Sequence, residues 1–403
     1  MKPSRILFII EELEDITTSA AIVNYNLCKI LAKEYTNSTI LTLDSISKRV
    51  KNDWSNFGEL YTHPKNNIKK YQKPLMYFNK IRALIYAFIG NDFTHYNRII
   101  NIRKFLKINI TNFDTIVLLS GGLGFTPHQS IINNRKFAGK NIISVYHDPF
   151  PISVYPKPYS KSNKFKEFFK IKNLQKAIAL SNTVVFPSQR LFEWYLNDYK
   201  IDEKKVEIIP HAVDELSISG IIKKETNEIT ITHTGTLLKP RNPKCFLEIF
   251  NDLKFDNTYI NFYGGINNIV YEDLKVFEGS KYINIYNYRI PYKESLEISF
   301  RSDFLLLIES NGEFNPFLPT KFVDYINTGR PIIILSPLKS EISRLVGVNY
   351  PFITTLNNKN QIKEILQNRI HNKGNVIKAL SILKKIKLKF SRDEILNNYK
   401  QLI

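Results

Sequence analysis

The sequence predicts an α/β protein with two doubly wound parallel sheets, one in each half of the chain. Three observations carry this expectation. Short apolar runs recur from end to end, and segments of helical patterning separate most of them. The third is the stretch FLLLIESNGEFNPFLPTKFVDYINTGRPIIILS at 304–336, which reads as buried strand, polar loop, helix and buried strand in succession.

In the first half the strand-like runs fall at Ile6–Ile10, Thr39–Leu43, Thr115–Leu119, Asn141–Val145, Thr183–Phe186 and Val206–Ile209. In the second half they fall at Glu228–His233, Tyr259–Tyr263, Tyr282–Tyr286, Phe304–Ile308 and Pro331–Leu335. Each set is large enough for its own sheet. The seam lies near 213–227, a weakly patterned segment that turns polar before strands resume. At the far end Ser391 and Glu394 stand at capping-box spacing, so a final helix is expected, preceded by the basic, amphipathic LKKIKLKF. The expected division is a first domain over 1–212, a linker over 213–227, a second domain over 228–385, and a closing helix within 386–403.

Composition narrows the class. A chain of 403 residues is long for one core, and 43% hydrophobic residues supply two. Cys28 and Cys245 are the two cysteines, which suggests neither a disulfide framework nor a Cys-based metal site and fits a reducing compartment. The N-terminal apolar run is too short for a secretory signal, and no run is long enough to span a bilayer. The expected location is therefore cytoplasmic. The net charge of +20 favours an anionic partner. It is uneven: residues 64–107 hold ten Lys or Arg against Asp92, and residues 156–176 hold seven Lys against Glu167. Neither stretch has the interleaving of a nucleic-acid motif, so no nucleic-acid partner is expected. Residues 69–89 mix Lys and Arg with Leu, Phe, Ile and Tyr. A helix there would be either a core helix with a solvated face or one lying on the anionic inner face of a membrane.

Ligands of open parallel sheets bind at the carboxyl ends of strands, so the residues that follow each run are the candidates. In the second half, Pro319 and Thr320 stand where a helix should start and Gly329 where it should stop. Lys321 at that positive end suits a phosphate, and Asp324 one turn on can accept hydrogen bonds from ribose hydroxyls. Gly235 permits close backbone approach, and Arg241 can grip a diphosphate bidentately. Tyr288, Arg289 and Ile290 follow another strand, where backbone groups could read a base edge. In the first half, Thr18, Ser19 and Ala20 would let a substrate approach the start of a helix. Gly122 sits in a permissive Gly-rich loop that lacks a phosphate-loop fingerprint. His147 and Asp148 directly follow a strand, where they serve either a sugar hydroxyl and proton transfer or a structural loop contact. His211 near the seam is open between a site role and a turn-shaping one.

In order along the chain, SVYHDPFP, VVFPSQRLFEWYLNDYKIDEKKVEIIPHAVDE, HTGTLLKPRNP, YRIPYKESLEISFRSDFLLLIES, PFLPTKFVDYINTGRPIII and SRDEILNNY resemble a GT-B glycosyltransferase. The group resembled is the retaining family 4, or group 1, type of bacterial polysaccharide enzyme. The resemblance implies two Rossmann-like domains facing across a cleft, with the last helix crossing back to the first domain. It places the nucleotide-sugar donor mainly on the second domain and the acceptor, a glycan or lipid-linked saccharide, mainly on the first. It implies hexosyl transfer without a metal or other cofactor. It carries Arg241 onto the diphosphate, Asp324 onto the ribose, Gly235 onto the phosphate loop, and His147 onto the transferred sugar. The departures are Pro316 where the family has a Glu, Asp324 for the second Glu, Thr236 where an Arg is common, and Ser19-Ala20-Ala21 for a Gly-Gly loop. Glu309 and Glu313 are the candidates to replace the missing Glu. The functional expectation is glycosyl transfer with retention in cell-surface polysaccharide synthesis. Its alternatives are a sugar-nucleotide epimerase, and a non-catalytic binder of anionic glycan or nucleic acid on the same scaffold.

Overall fold

The computed structural model describes residues 4–11, 13, 18–43, 46–62, 93–121, 124–134, 137–160, 164, 167–212 and 227–403. The residues expected to form the 69–89 helix, and the linker up to residue 226, lie outside this set. The chain divides into two compact units. Unit 1 comprises 1–155, 160–212 and 392–403; unit 2 comprises 156–159 and 213–391.

Unit 1 is built on seven strands: β1 (Ile6–Ile10), β2 (Ser38–Thr42), β3 (Gly58–Thr62), β4 (Thr115–Leu119), β5 (Asn141–Val145), β6 (Thr183–Phe186) and β7 (Val206–Ile208). They pair in parallel in the order β3-β2-β1-β4-β5-β6-β7. Strands β1 and β4 are buried throughout, which is why their residues are apolar without alternation. The chain moves outward from β1 to β3, then restarts at β4 on the other side. The reversal leaves a crevice at the carboxyl ends of β1 and β4. The helix Ser19–Glu34 starts at that edge, capped by Thr18, whose hydroxyl accepts from the Ala21 amide at 3.1 Å. The helix Arg392–Lys400 packs Ile395 and Tyr399 into the same cluster as Ile6, Phe8 and Ile10. Lys400 pairs with Glu34 at 2.7 Å.

Unit 2 repeats the plan with β8 (Ile229–Thr234), β9 (Thr258–Tyr263), β10 (Ile283–Tyr286), β11 (Phe304–Ile308), β12 (Phe314–Asn315), β13 (Ile332–Leu335), β14 (Lys339–Ser340) and β15 (Ile353–Thr354). The main sheet runs β10-β9-β8-β11-β13-β15, all parallel, and β12 pairs with β14 beside it. Its reversal falls between β8 and β11. The loops at Gly235–Arg241 and Glu309–Pro319 therefore flank one crevice.

The two doubly wound sheets match the sequence expectation, and each of the eleven expected runs is a strand. Four short strands went unread. β3, GELYT, is a half-exposed edge strand that opens on glycine, so it lacks an apolar run. β12, β14 and β15 have two residues each, below the length at which a pattern exists. Two boundaries also differ. Residues 386–391 stay with unit 2, because Ile386 and Phe390 are buried in its core. Residues 156–159 group with unit 2 as well, and Tyr159 contacts Arg241 there.

Candidate functional site

In unit 2 the crevice is organised around Lys321. The helix Thr320–Asn327 buries Phe322, Val323, Tyr325 and Ile326, each contributing roughly 1.5–3 kcal/mol. Pro319 precedes it, and no side chain caps its first amides. Tyr325 pins the helix to the end of β8: the Thr234 amide donates to its hydroxyl at 2.9 Å. Lys321, one turn earlier, is thereby brought over the end of β8. Its ammonium donates to Thr234 Oγ1 at 3.4 Å and lies 5.5 Å from the Tyr325 ring centre. Burial pushes it down to about 8, with Asp324 opposing and Arg241 reinforcing the shift.

Gly235 makes room for that ammonium. Its φ is +148°, and an added Cβ would stand 2.4 Å from Lys321 Cε. Arg241 donates from Nε to the Tyr159 hydroxyl at 3.0 Å, with the guanidinium 5.9 Å from the ring centre. That contact orients the fork. Asp324 accepts from the Tyr292 hydroxyl at 2.7 Å and is half-buried. Thr236, Tyr288 and Arg289 are exposed, and Ile290 is half-buried. Two groups at this edge, one buried and one half-buried, were not singled out from sequence. His233 offers Nδ1 to the Leu306 carbonyl at 2.8 Å, so Nδ1 carries the hydrogen and the unpartnered Nε2 keeps its lone pair. Burial, then Lys321, hold it neutral, with its pKa down to about 3. Tyr159 is the other, remote in sequence from the arginine it steadies.

The two carboxylates that could replace a Glu at 316 separate clearly. Glu313 is exposed, whereas Glu309 is 1% exposed. Asn315 Nδ2 donates to Glu309 Oε1 at 2.8 Å, and Ser336 is hydrogen-bonded to Oε2. Glu309 thus ties the ends of β11 and β13 to the loop that leads into Pro319. Burial pushes its carboxyl up to about 7, while Ser336 and Arg241 pull it down. The folded value lies above the unfolded one of 4.5, so the folded state holds this proton more tightly. The stability contributed is complete below about pH 4.5 and is lost as pH rises through 7. Glu309→Gln should flatten this slope, which amounts to up to roughly 3 kcal/mol between pH 4.5 and 8. Urea denaturation across that range checks it; an unchanged slope would remove Glu309 as its source.

In unit 1 a second cluster gathers at the carboxyl ends of β4 and β5. Ser120 follows β4, and its hydroxyl accepts from the His147 amide at 3.1 Å. Asn24, buried in the helix Ser19–Glu34, donates from Nδ2 to the Ser120 carbonyl at 2.9 Å. That carbonyl can only accept, so Asn24 turns Oδ1 toward His147 Nε2, 2.6 Å away. Oδ1 can only accept as well, which places the imidazole hydrogen on Nε2. Nδ1 is left as an unpartnered lone pair. Burial holds His147 neutral, with its pKa down to about 4. His211 lies 5.1 Å away ring to ring, and burial followed by His147 lowers its pKa too. The backbone carbonyl of Asp148 accepts from the Tyr195 hydroxyl at 2.8 Å. Ser19 is exposed and Ala20 half-buried at the start of the Thr18-capped helix. Gly122 lies outside the described residues. Asn24 carried no sequence signal beyond its place one turn into the first helix.

Among the described residues no group of three or more His, Cys, Asp or Glu side chains could hold a metal ion, and no helix is long and apolar enough to cross a membrane. Residues 20–215 match the family model Glycosyltransferase Family 4. Curated proteins give no sequence match. Similar solved structures include HepE of Anabaena in complex with UDP and glucose, at 11% identity and TM-score 0.65, covering 99% of this chain and 98% of that one. The lipopolysaccharide outer core galactosyltransferase WaaB aligns at 13% identity and TM-score 0.63, covering 99% and 98%. A putative UDP-N-acetylglucosamine 2-epimerase from Listeria monocytogenes aligns at 13% identity and TM-score 0.62, covering 98% and 94%. The two doubly wound sheets and these solved structures together show a GT-B fold. Within that fold, residues 20–215 are the part that is similar to Glycosyltransferase Family 4.

Proposed function

We propose that the protein moves a hexosyl group from a nucleotide diphosphate sugar to a hydroxyl of a glycan or lipid-linked saccharide in cell-surface polysaccharide synthesis. The observation that carries this reading is the convergence of Gly235, Arg241 and Lys321 at the crevice of unit 2. Two cations meet there beside free helix amides. The bond from the anomeric carbon to the β-phosphate oxygen breaks, and its electron pair leaves with the nucleoside diphosphate. Arg241, Lys321 and the start of the helix Thr320–Asn327 stabilise that charge, a role a metal ion fills elsewhere. Asp324 binds the ribose, and backbone groups at Tyr288–Ile290 meet the base. The acceptor oxygen bonds to the anomeric carbon and, with retention, gives its proton to the departing phosphate. The Nδ1 lone pair of His147 accepts a hydrogen bond from a sugar hydroxyl. Because HepE was solved with UDP and glucose, uridine nucleotides are the first donors to try.

The test is release of nucleoside diphosphate from a panel of nucleotide sugars, with and without saccharide acceptors. Acceptor-dependent release supports transfer. Epimerised or hydrolysed donor without acceptor supports the epimerase reading, and donor binding without turnover a non-catalytic one. His147→Ala should lower turnover at least about tenfold with the donor Kd within twofold. An equal loss in donor affinity would place His147 elsewhere in the reaction.

A further inference from the structure

The helix Lys373–Lys389 has a face that the transfer reaction does not use. Its sequence, KGNVIKALSILKKIKLK, holds six lysines and no acid. Ala379, Leu383 and Ile386 are buried in the core of unit 2. Ile377 and Leu388 point the other way, 67% and 66% exposed. Eleven residues are close to three helical turns, so these two share one line along the helix. Lys373, Ser381 and Lys384 fall within about 50° of that line, and Lys378, Lys385 and Lys389 run along one side of it. All six are exposed. Lys387 alone turns inward, donating to the Asn327 carbonyl at 3.2 Å. The helices packed against this one do not supply the missing negative charge. Glu341 is buried against Arg344 at 2.6 Å, and Asp324 accepts from Tyr292.

We propose that this face docks on an anionic lipid surface. Two large apolar side chains stand in a field of lysines, which matches phosphate headgroups above an acyl boundary. Singly exposed apolar side chains are ordinary, but here two stand on one line of a helix face whose charges are all positive. A phosphate backbone would match the lysines and leave Ile377 and Leu388 without a partner. The inference concerns unit 2 and is independent of the donor chemistry and of residues 69–89.

The experiment is sedimentation of the full chain with vesicles of phosphatidylcholine alone or with phosphatidylglycerol, at low and high salt. Three forms are compared: unaltered, Lys384→Glu with Lys385→Glu, and Ile377→Ser with Leu388→Ser. The unaltered chain should bind only the anionic vesicles. Loss of each lysine should weaken binding about fivefold, and charge reversal by more. The Ser pair should also weaken it, with a larger share of the loss remaining at high salt. All substituted positions are exposed, so melting should be unchanged. Failure of the unaltered chain to bind at low salt would overturn the proposal. So would equal binding by the substituted forms, or capture of single-stranded DNA with no affinity for vesicles. Donor turnover measured without vesicles stays the same in every form, so this test stands apart from that of the transfer reaction.

Discussion

Arg241→Ala should lower kcat by roughly 10²–10³-fold, the scale seen when one donor to a developing anion is removed. Arg241 stands in the loop after β8, at the reversal of the unit 2 sheet, where a ligand meets the ends of two strands. Its Nε is engaged by Tyr159, so the fork is held before substrate arrives. It is close enough to Lys321 to lower that ammonium's pKa. Asp324 offsets part of that repulsion at Lys321, and a bound diphosphate would offset more. Charge on the leaving diphosphate relieves that repulsion most when the bond is broken, so the loss falls on kcat more than on KM. Stability should change by only about 1 kcal/mol, the worth of the Tyr159 hydrogen bond. Steady-state kinetics with a thermal melt separate the two effects, and near-normal turnover in a folded variant would sink the role.

The largest stability effect is expected at Gly264, behind the Gly235 loop. Gly264 has φ +139°, and an added Cβ would lie 2.3 Å from the Gly235 carbonyl oxygen and 2.5 Å from its carbon. Both are backbone atoms, so no side chain can move aside. Gly235 is itself fixed by the hydrogen bond its amide donates to the Tyr263 carbonyl. Gly264→Ala must therefore displace one loop or the other, at a cost of about 2–4 kcal/mol. The displaced loop carries the residue that makes room for Lys321, so nucleotide affinity should fall with stability. Gly265→Ala is the control: nothing lies within 4 Å of its Cβ, and its stability should stay within about 0.5–1 kcal/mol. Urea denaturation of both variants measures the contrast. Equal stabilities would mean the two glycine loops are not packed as described.

What was legible in the sequence followed from local pattern. The apolar runs at Phe304–Ile308 and Ile332–Leu335 are strands because a doubly covered sheet admits little else. The helix between them starts after Pro319 and ends before Gly329, whose φ is +68°. The place of Lys321 at that helix start was readable too. What was not legible depends on residues far apart in the chain. Tyr159 and Arg241 are separated by 82 positions, and Asn24 and His147 by 123. The different surroundings of Glu309 and Glu313 were not legible either. Glu309 ends a buried strand and meets Asn315 and Ser336, while Glu313 stands on the exposed loop between.

The most direct test is calorimetric titration of uridine, guanosine and adenosine diphosphates into the unaltered protein and into Arg241→Ala. The expected result is saturable one-to-one binding for one base series, weakened at least about tenfold in the variant. No binding in any series, or binding of equal strength without Arg241, would contradict a diphosphate site at the crevice of unit 2.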